Sequence, residues 1–134
     1  MSVLVTDTGF GPAPDIETVG LADIAAHKGG LLLAHTDAPD AVQPYLGALC
    51  TIRVAFPAFN DGRAFTIARR LRALGYTGAL HAIGPVIADQ YAMVRRVGFD
   101  GVIIPDALAA RQPEIQWLAR ADWRENDYLS RLRA

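Results

Sequence analysis

The stretch that decides the fold is Gly75-Tyr76-Thr77-Gly78-Ala79-Leu80, which recurs 23 residues later as Gly98-Phe99-Asp100-Gly101-Val102-Ile103. In each copy a glycine ends a helical pattern, an aromatic residue packs behind it, and a second glycine turns the chain into an apolar run. The two copies indicate one strand–helix unit that occurs twice. Because crossovers between neighbouring parallel strands are right-handed, such units stack side by side into a parallel sheet.

Four apolar runs, bounded by Gly, Pro, Asp or Asn, supply the strands of this sheet: residues 31–34, 52–56, 79–83 and 101–104. Their near-continuous hydrophobicity is typical of parallel strands that are covered on both faces. Apolar residues at helical spacing predict the connecting helices over residues 62–74 and 85–97, with Pro85 in the first turn, and a shorter helix over residues 40–49. We therefore expect four parallel strands within residues 30–105.

The two ends of the chain are less regular. Val3-Leu4-Val5 predicts a fifth strand, either parallel or a small antiparallel edge, before a Gly/Pro-rich turn at residues 9–14. Further helices are predicted at residues 21–27 and from Pro113 onward.

Together these patterns predict an α/β fold with a predominantly parallel sheet of four to five strands and flanking helices. The alternatives of an open sheet and a partial βα barrel both fit the sequence. The expected single domain, residues 1–134, comprises an irregular N-terminal segment (1–29), a βα core (30–111) and a C-terminal helical tail (112–134).

Composition excludes several classes of protein. A chain of 134 residues that is 51% hydrophobic can bury a substantial core, which excludes a disordered protein. Its 13 basic and 14 acidic residues leave no excess cation for a nucleic-acid backbone. No apolar run approaches the about 18 residues of a membrane span, and no signal-peptide pattern opens the chain, so we expect a soluble cytoplasmic protein. One cysteine excludes an intrachain disulfide and a cysteine-held cluster.

The candidate site lies where ligands bind parallel sheets, at the carboxyl ends of the strands. In the stretch 56–63, Asn60 or Asp61 is a natural helix N-cap and Gly62 permits close backbone approach. Arg63 puts a cation in the first helical turn, which the helix dipole disfavours by about 0.3–1 kcal/mol. A guanidinium beside free amides suits carboxylate, sulfite or phosphate, although Arg63 could equally pair with Asp61 or face solvent.

We therefore predict a small-anion site formed by Asn60, Asp61, Gly62, Arg63 and Gly84. The side chains expected to neighbour this site are His35, Asp37, His81 and Asp106. His81 lies within an apolar strand, where a hydrogen-bonded core histidine and a catalytic base are both open. The sequence predicts no metal site, because no two of these candidates have ligand spacing on one helix.

Other features leave alternatives open. Thr6-Asp7-Thr8-Gly9 is similar to the phosphate loop of flavodoxins, so FMN is the one alternative to having no cofactor. Asp89 and Gln90, on the predicted exposed side of their helix, are candidate partner contacts or simply solvated. The apolar residues of the tail 123–132 favour either a homodimer contact or a frayed helix.

The stretches 56–63, 75–78, 83–90 and 95–100 resemble the motifs of DUF934, a bacterial family of unknown function. The resemblance runs in order through residues 30–105, and the matching positions are Phe59, Asp61, Gly62, Arg63, Gly84, Asp89, Gln90 and Gly98. Members are commonly labelled as oxidoreductases of sulfite reduction and are associated with genes of assimilatory sulfate reduction.

The resemblance implies an accessory protein of assimilatory sulfite reduction, with sulfite reductase components as candidate partners. The residues add that it works through such a partner or by binding a small anion near Asp61 and Arg63. An FMN-dependent small reductase and a structural homodimer without catalysis are the alternatives. The sequence carries no recognisable motif for a flavin, nicotinamide, siroheme or cluster, so whether the protein is an enzyme stays open.

Overall fold

The computed structural model describes residues 2–58, 62–121 and 123, and within them it contains a mixed sheet of six strands. The strands are β1 (Ser2–Thr6), β2 (Gly9–Pro12), β3 (Gly30–Leu33), β4 (Thr51–Ala55), β5 (Ala79–Ile83) and β6 (Gly101–Pro105). Their order is β2-β1-β6-β5-β4-β3. Strands β3 to β6 are parallel to one another, whereas β1 is antiparallel to both β6 and β2.

The four parallel strands are confirmed, but the predicted total of four to five strands is wrong. The extra strand is β2, which the glycines and prolines of residues 9–14 had indicated as a turn. Pro12 is tolerated because β2 lies at the end of the sheet and pairs only with β1, so no ladder requires the missing N–H. The first strand, β1, is antiparallel but lies inside the sheet rather than at its edge.

The helices are α1 (Arg63–Ala73), α2 (Tyr91–Arg96), α3 (Asp106–Arg111) and α4 (Glu114–Leu118), with 3₁₀ helices at Leu21–Ala26, Pro39–Tyr45 and Ala88–Gln90. Within the described part of the chain, no helix combines the length and apolar character needed to cross a membrane. The predicted helix over residues 85–97 begins only at Ala88, because Gly84 and Pro85 belong to a turn in which Val86 donates to the carbonyl of Gly84 at 2.8 Å. The sequence did not predict α3. Beyond residue 121, the predicted helical tail lies outside the described residues except for Trp123.

One face of the sheet holds the main core. Leu31, Ile52 and Leu80 are in register on neighbouring strands and are all fully buried. The helices α1 and α2 pack on this face, against β4 and β6. Because β3, β4, β5 and β6 follow one another in the same direction, right-handed crossovers place these helices on the same side.

The opposite face carries no helix from these crossovers and is crossed by residues 13–18, here called the strap. The strap connects β2 with Val19, which pairs beside β3, and the carbonyl of Pro14 accepts a hydrogen bond from Arg53 Nη2 at 2.6 Å. Val19 is seven residues beyond Pro12, a span of at most about 25 Å. Val19 pairs on the outer side of β3, so in a flat sheet it would lie six strand positions, or about 29 Å, from β2. The sheet is therefore open at both ends but curled, with the strap across its concave face.

Candidate functional site

The carboxyl edge of the sheet, where β3 to β6 end, brings most of the predicted site residues to one side of the molecule. His35 and Asp37 follow β3, Gly62 and Arg63 follow β4, Gly84 follows β5, and Asp106 follows β6. Asn60 and Asp61 lie outside the described residues. The residue that directly precedes α1 is Gly62, so it takes the capping position predicted for Asn60 or Asp61.

Asp37, which follows β3, and Arg63, which follows β4, have separate local surroundings. Asp37 accepts a hydrogen bond from the backbone N–H of Ala34 at 2.8 Å, which closes the turn after β3. Arg63 is the first residue of α1, as the sequence predicted, and it is exposed. Its side chain has an interaction in the structure, so its cation is not a free group at the edge.

Gly84 shapes the backbone at the carboxyl edge. Its φ of 137° lies in the region that favours glycine, and a Cβ at this position would collide with the carbonyl oxygen of Phe56. Its N–H donates to the carbonyl of Ile103 at 3.0 Å, while Phe56 donates to the carbonyl of Ile83 at 2.8 Å. These contacts join the ends of β4, β5 and β6, and they occupy the amide that we had predicted to bind an anion.

His81 lies in the middle of β5, on the concave face rather than at the carboxyl edge. It is in register with Arg53 of β4 and is only 7% exposed. Burial lowers the pKa of His81, the cation of Arg53 lowers it further, and Asp100 opposes the shift. His81 Nδ1 and Arg53 Nε are both buried without a hydrogen-bond partner among the described residues. This pair belongs to the interior of the curled sheet.

A pocket of about 370 Å³ opens at the carboxyl edge, beside Gly84. Pro85 and Ile87, from the connection after β5, line one part of it. The rest of the lining comes from α3 and the residue that follows it: Leu108, Arg111 and Gln112. Their spacing of three and four residues places these three side chains on the same side of α3.

Both polar side chains of this pocket present hydrogen-bond donors. Gln112 Oε1 accepts a hydrogen bond from the backbone N–H of Ala88 at 2.6 Å, so the group that it can still offer is its amide NH₂. Arg111 is exposed, can only donate, and makes no hydrogen bond or ion pair with the described residues. No acidic residue is among the described side chains that line the pocket. Such a lining favours a ligand that carries hydrogen-bond acceptors, and the positive charge of Arg111 favours an anion among such ligands.

The amino edge of the sheet, where β3 to β6 begin, uses its charges differently. Asp7, after β1, accepts hydrogen bonds from Tyr91 Oη at 2.5 Å, from Arg95 Nε at 3.2 Å and from Trp123 Nε1 at 3.2 Å. Burial works to raise the pKa of Asp7, but these hydrogen bonds outweigh it and hold the pKa below its ordinary value of 3.8. The Arg95 guanidinium also lies over the Trp123 ring, 4.9 Å from its centroid.

A second arginine on the same edge is equally engaged. Arg72 donates to the carbonyls of Gly78 and Gly98 at 3.0 and 2.9 Å and to Asp100 Oδ2 at 3.1 Å. Asp100 in turn accepts from the backbone N–H of Leu80 at 3.0 Å. These contacts tie the end of α1 to the starts of β5 and β6, so this group of charges stabilises the fold.

The remaining predicted residues also have internal contacts. Asp89 accepts a hydrogen bond from Arg120 Nη2 at 2.6 Å, and Gln90 Oε1 accepts a long one from Ile87 N–H at 3.4 Å. The stretch 6–9 forms the turn between β1 and β2, so it lacks the following helix whose N-terminus would bind the FMN phosphate. Among the described residues, no three His, Cys, Asp or Glu side chains converge as metal ligands would.

Sequence reasoning missed the pocket residues on α3. The sequence patterns included Pro85 and Ile87 in a motif stretch, but they predicted no helix between Asp106 and Pro113. The available signal was their place just after a parallel strand, where ligands bind. The orientation of the Gln112 amide has no sequence signal, because it depends on Ala88, 24 positions earlier.

Comparison with known proteins gives one match. Residues 30–126 match the family described as "Bacterial protein of unknown function (DUF934)". No curated protein and no solved structure matches the chain. The matched region contains the four parallel strands, all four α-helices of the described residues and every pocket residue. The chain therefore belongs to the DUF934 family.

Proposed function

We propose that this protein is an accessory component of assimilatory sulfite reduction that binds a small anion at the carboxyl edge of its sheet. The observation that carries the anion-binding part is the donor-only pocket, in which Arg111 and Gln112 offer N–H groups and no described carboxylate competes. Its position at the ends of β5 and β6 is where ligands bind in parallel sheets. The part that concerns sulfite reduction rests on the labels that members of the family carry.

The electrostatics of the pocket support anion binding. A guanidinium can bind a carboxylate or an oxoanion through two parallel hydrogen bonds, which are stronger than bonds between neutral groups. Arg111 can do so without giving up a described partner. Gln112 is held in place because its side-chain oxygen accepts from Ala88 and its carbonyl accepts from Trp117 Nε1 at 2.9 Å. Because the Gln112 side chain is already fixed beside Arg111, less side-chain entropy is lost when a ligand binds.

The accessory role follows from the sequence. It contains neither the glycine-rich fingerprint of dinucleotide-binding proteins nor a P-loop, and it offers no set of cysteines for a cluster. An anion-binding component fits a pathway whose intermediates are sulfur oxoanions.

Calorimetric titration with sulfite and with phosphate tests the anion site. We expect Arg111→Ala to weaken binding at least tenfold, because hydrogen bonds to a charged group contribute about 1.5–3 kcal/mol. Arg69→Ala is the matched control, since Arg69 is an exposed arginine of α1 outside the pocket and its loss changes the net charge equally. Equal weakening in both variants would contradict the site.

A third variant decides between the two candidate cations at this edge. The sequence-based hypothesis places Arg63 in the site, whereas the geometry of the pocket places Arg111 in it. We expect Arg63→Ala to bind both anions with nearly wild-type affinity. Loss of binding in Arg63→Ala, together with normal binding in Arg111→Ala, would move the site to the start of α1.

The link to sulfite reduction needs a separate experiment. Tagged protein isolated from cells grown on sulfate should carry sulfite reductase subunits, and their yield should fall when cysteine is the sulfur source. An unrelated tagged protein of similar size serves as the control. Equal recovery with both proteins would remove the accessory role and leave the anion site standing.

A further inference from the structure

We infer that the ligand of the carboxyl-edge pocket is an organic anion with a compact apolar body, such as a small sulfonate or carboxylate, rather than a bare inorganic oxoanion. This inference rests on the proposed anion site and specifies its ligand class. It follows from the size of the pocket, from its apolar lining, and from the separation of its polar and apolar parts.

The pocket is too large for an inorganic oxoanion alone. Its volume of about 370 Å³ lies within the range of small-molecule sites, about 300–1,000 Å³. One water occupies about 30 Å³, and an oxoanion with three or four oxygens displaces only a few waters. Such an ion, bound to Arg111, would leave most of the space filled with water against an apolar wall.

The lining explains what the rest of the space can hold. Three of its five residues, Pro85, Ile87 and Leu108, offer only carbon atoms as side-chain contacts. Leu108 is 6% exposed and joins the main core, so this part of the wall is fixed. Removal of apolar ligand surface from water against such a wall is favourable.

The two kinds of lining come from different elements. Arg111 and Gln112 are adjacent at the end of α3, whereas Pro85 and Ile87 come from the connection after β5. The ligand is therefore oriented, with its anionic group at α3 and its apolar body toward residues 85–87. Leu108, one turn before Arg111 in α3, adds a third apolar side chain to the lining.

A series of probes measures the apolar part directly. We expect calorimetric affinity to rise from phosphate and methanesulfonate to butane-1-sulfonate by at least tenfold, because each buried methylene contributes up to about fourfold. Butyrate should show the same gain in affinity over phosphate as the sulfonates do, because the pocket recognises the charge and the apolar chain of the ligand rather than its sulfur atom. The neutral analogue butane-1-sulfonamide should bind at least tenfold more weakly than butane-1-sulfonate.

Two variants separate the two parts of the pocket. Arg111→Ala should weaken methanesulfonate and butane-1-sulfonate by the same factor, because both use the anionic end. Ile87→Ala should weaken butane-1-sulfonate more than methanesulfonate, because the longer ligand makes more contact with the apolar wall. Circular dichroism of both variants verifies that the fold is retained.

Each outcome supports or overturns a specific claim. Sulfite that binds through Arg111 as tightly as butane-1-sulfonate would overturn this inference and leave the proposed function intact. Equal binding of butane-1-sulfonamide and butane-1-sulfonate would overturn the anionic class of the ligand. Failure of every anion to bind would overturn both the inference and the proposed site.

Discussion

The amino edge of the sheet and the pocket at its carboxyl edge use arginine in opposite ways. At the amino edge, Arg72 and Arg95 are surrounded by carbonyls, carboxylates and an aromatic ring, so their donors serve the fold. At the carboxyl edge, Arg111 reaches a pocket without a partner among the described residues. The difference shows where this molecule can bind an anion, because a cation that already has partners must lose them before it can bind a ligand.

The two edges also differ in the kind of contact that holds them together. The amino edge depends on charge, through Asp7 and Asp100. The carboxyl edge depends on backbone contacts, with Gly84 between the ends of β4 and β6. Variants at the two edges should therefore respond differently to pH and to ligand.

The largest effect is expected at Gly84. Gly84→Ala adds a Cβ that collides with the Phe56 carbonyl and forces alanine to a φ of 137°. We expect the free energy of unfolding to fall by about 3 kcal/mol or more, measured by urea titration. Gly62→Ala is the control on the same edge, because its φ is −83° and no atom of the described residues lies within 4 Å of the new Cβ. Equal effects of the two substitutions would contradict the role of Gly84.

The next largest effect on stability is expected at Asp7, on the amino edge. Asp7→Asn removes the charge that faces Arg95 and turns an acceptor into an amide donor toward Tyr91 or Trp123. We expect a loss of about 2–3 kcal/mol in the free energy of unfolding, because the Arg95 side chain is only 15% exposed and keeps only the more distant carboxylate of Asp100, 3.9 Å from its Nη1.

The control for Asp7 is an exposed ion pair. Asp89→Asn removes the partner of Arg120 at the surface and should cost under about 1 kcal/mol. If Asp7→Asn were as mild as Asp89→Asn, the amino edge would not depend on its charges.

A smaller effect is expected in the pH dependence. The pKa of Asp7 is lower in the folded protein than its ordinary value of 3.8, so the unfolded chain binds the proton first as pH falls. The stability that Asp7 contributes is complete above about pH 4 and is lost as pH falls through the folded pKa. The difference in unfolding free energy between wild type and Asp7→Asn should therefore be constant from pH 7 to 5 and shrink below pH 3.8.

That difference is measured by urea titration at each pH. A difference that stayed constant to pH 2.5 would mean that the charge of Asp7 does not stabilise the fold. The comparison with Asp7→Asn removes the contribution of the other carboxyl groups, which titrate in both proteins.

The smallest effect on stability is expected at Arg111. Arg111→Ala removes an exposed side chain that has no described hydrogen bond, so the free energy of unfolding should change by less than about 0.5 kcal/mol. Thermal unfolding without ligand measures this value. A loss comparable to that of Asp7→Asn would mean that Arg111 serves the fold, as the amino-edge arginines do.

Much of the sheet could be predicted because its signals are local. The strands β3 to β6 are apolar runs between glycines, and α1 has an uninterrupted apolar stripe. The strand β2 could not be predicted, since its Gly-Phe-Gly-Pro composition is that of a turn and only pairing with β1 makes it a strand. The start of the helix after β5 was missed because the turn at Gly84 depends on Phe56 in another strand.

The site was predicted in part, for a related reason. The carboxyl edge follows from the order of strands, so Gly62, Arg63 and Asp106 are placed there as expected. The choice of cation does not follow, because the sequence predicts Arg63 at the start of a helix but predicts no helix that contains Arg111. Only the tertiary contacts that form the pocket distinguish them.

The most direct test of the central claim is an NMR titration of ¹⁵N-labelled protein with butane-1-sulfonate. We expect the largest amide shifts at Ile87, Ala88, Arg111 and Gln112, with the amino-edge amides of Gly98 and Asp100 unchanged up to saturation. This pattern would place the ligand at the edge where the cation lacks a described partner. Largest shifts at the amino edge, or no shifts at all, would contradict the account.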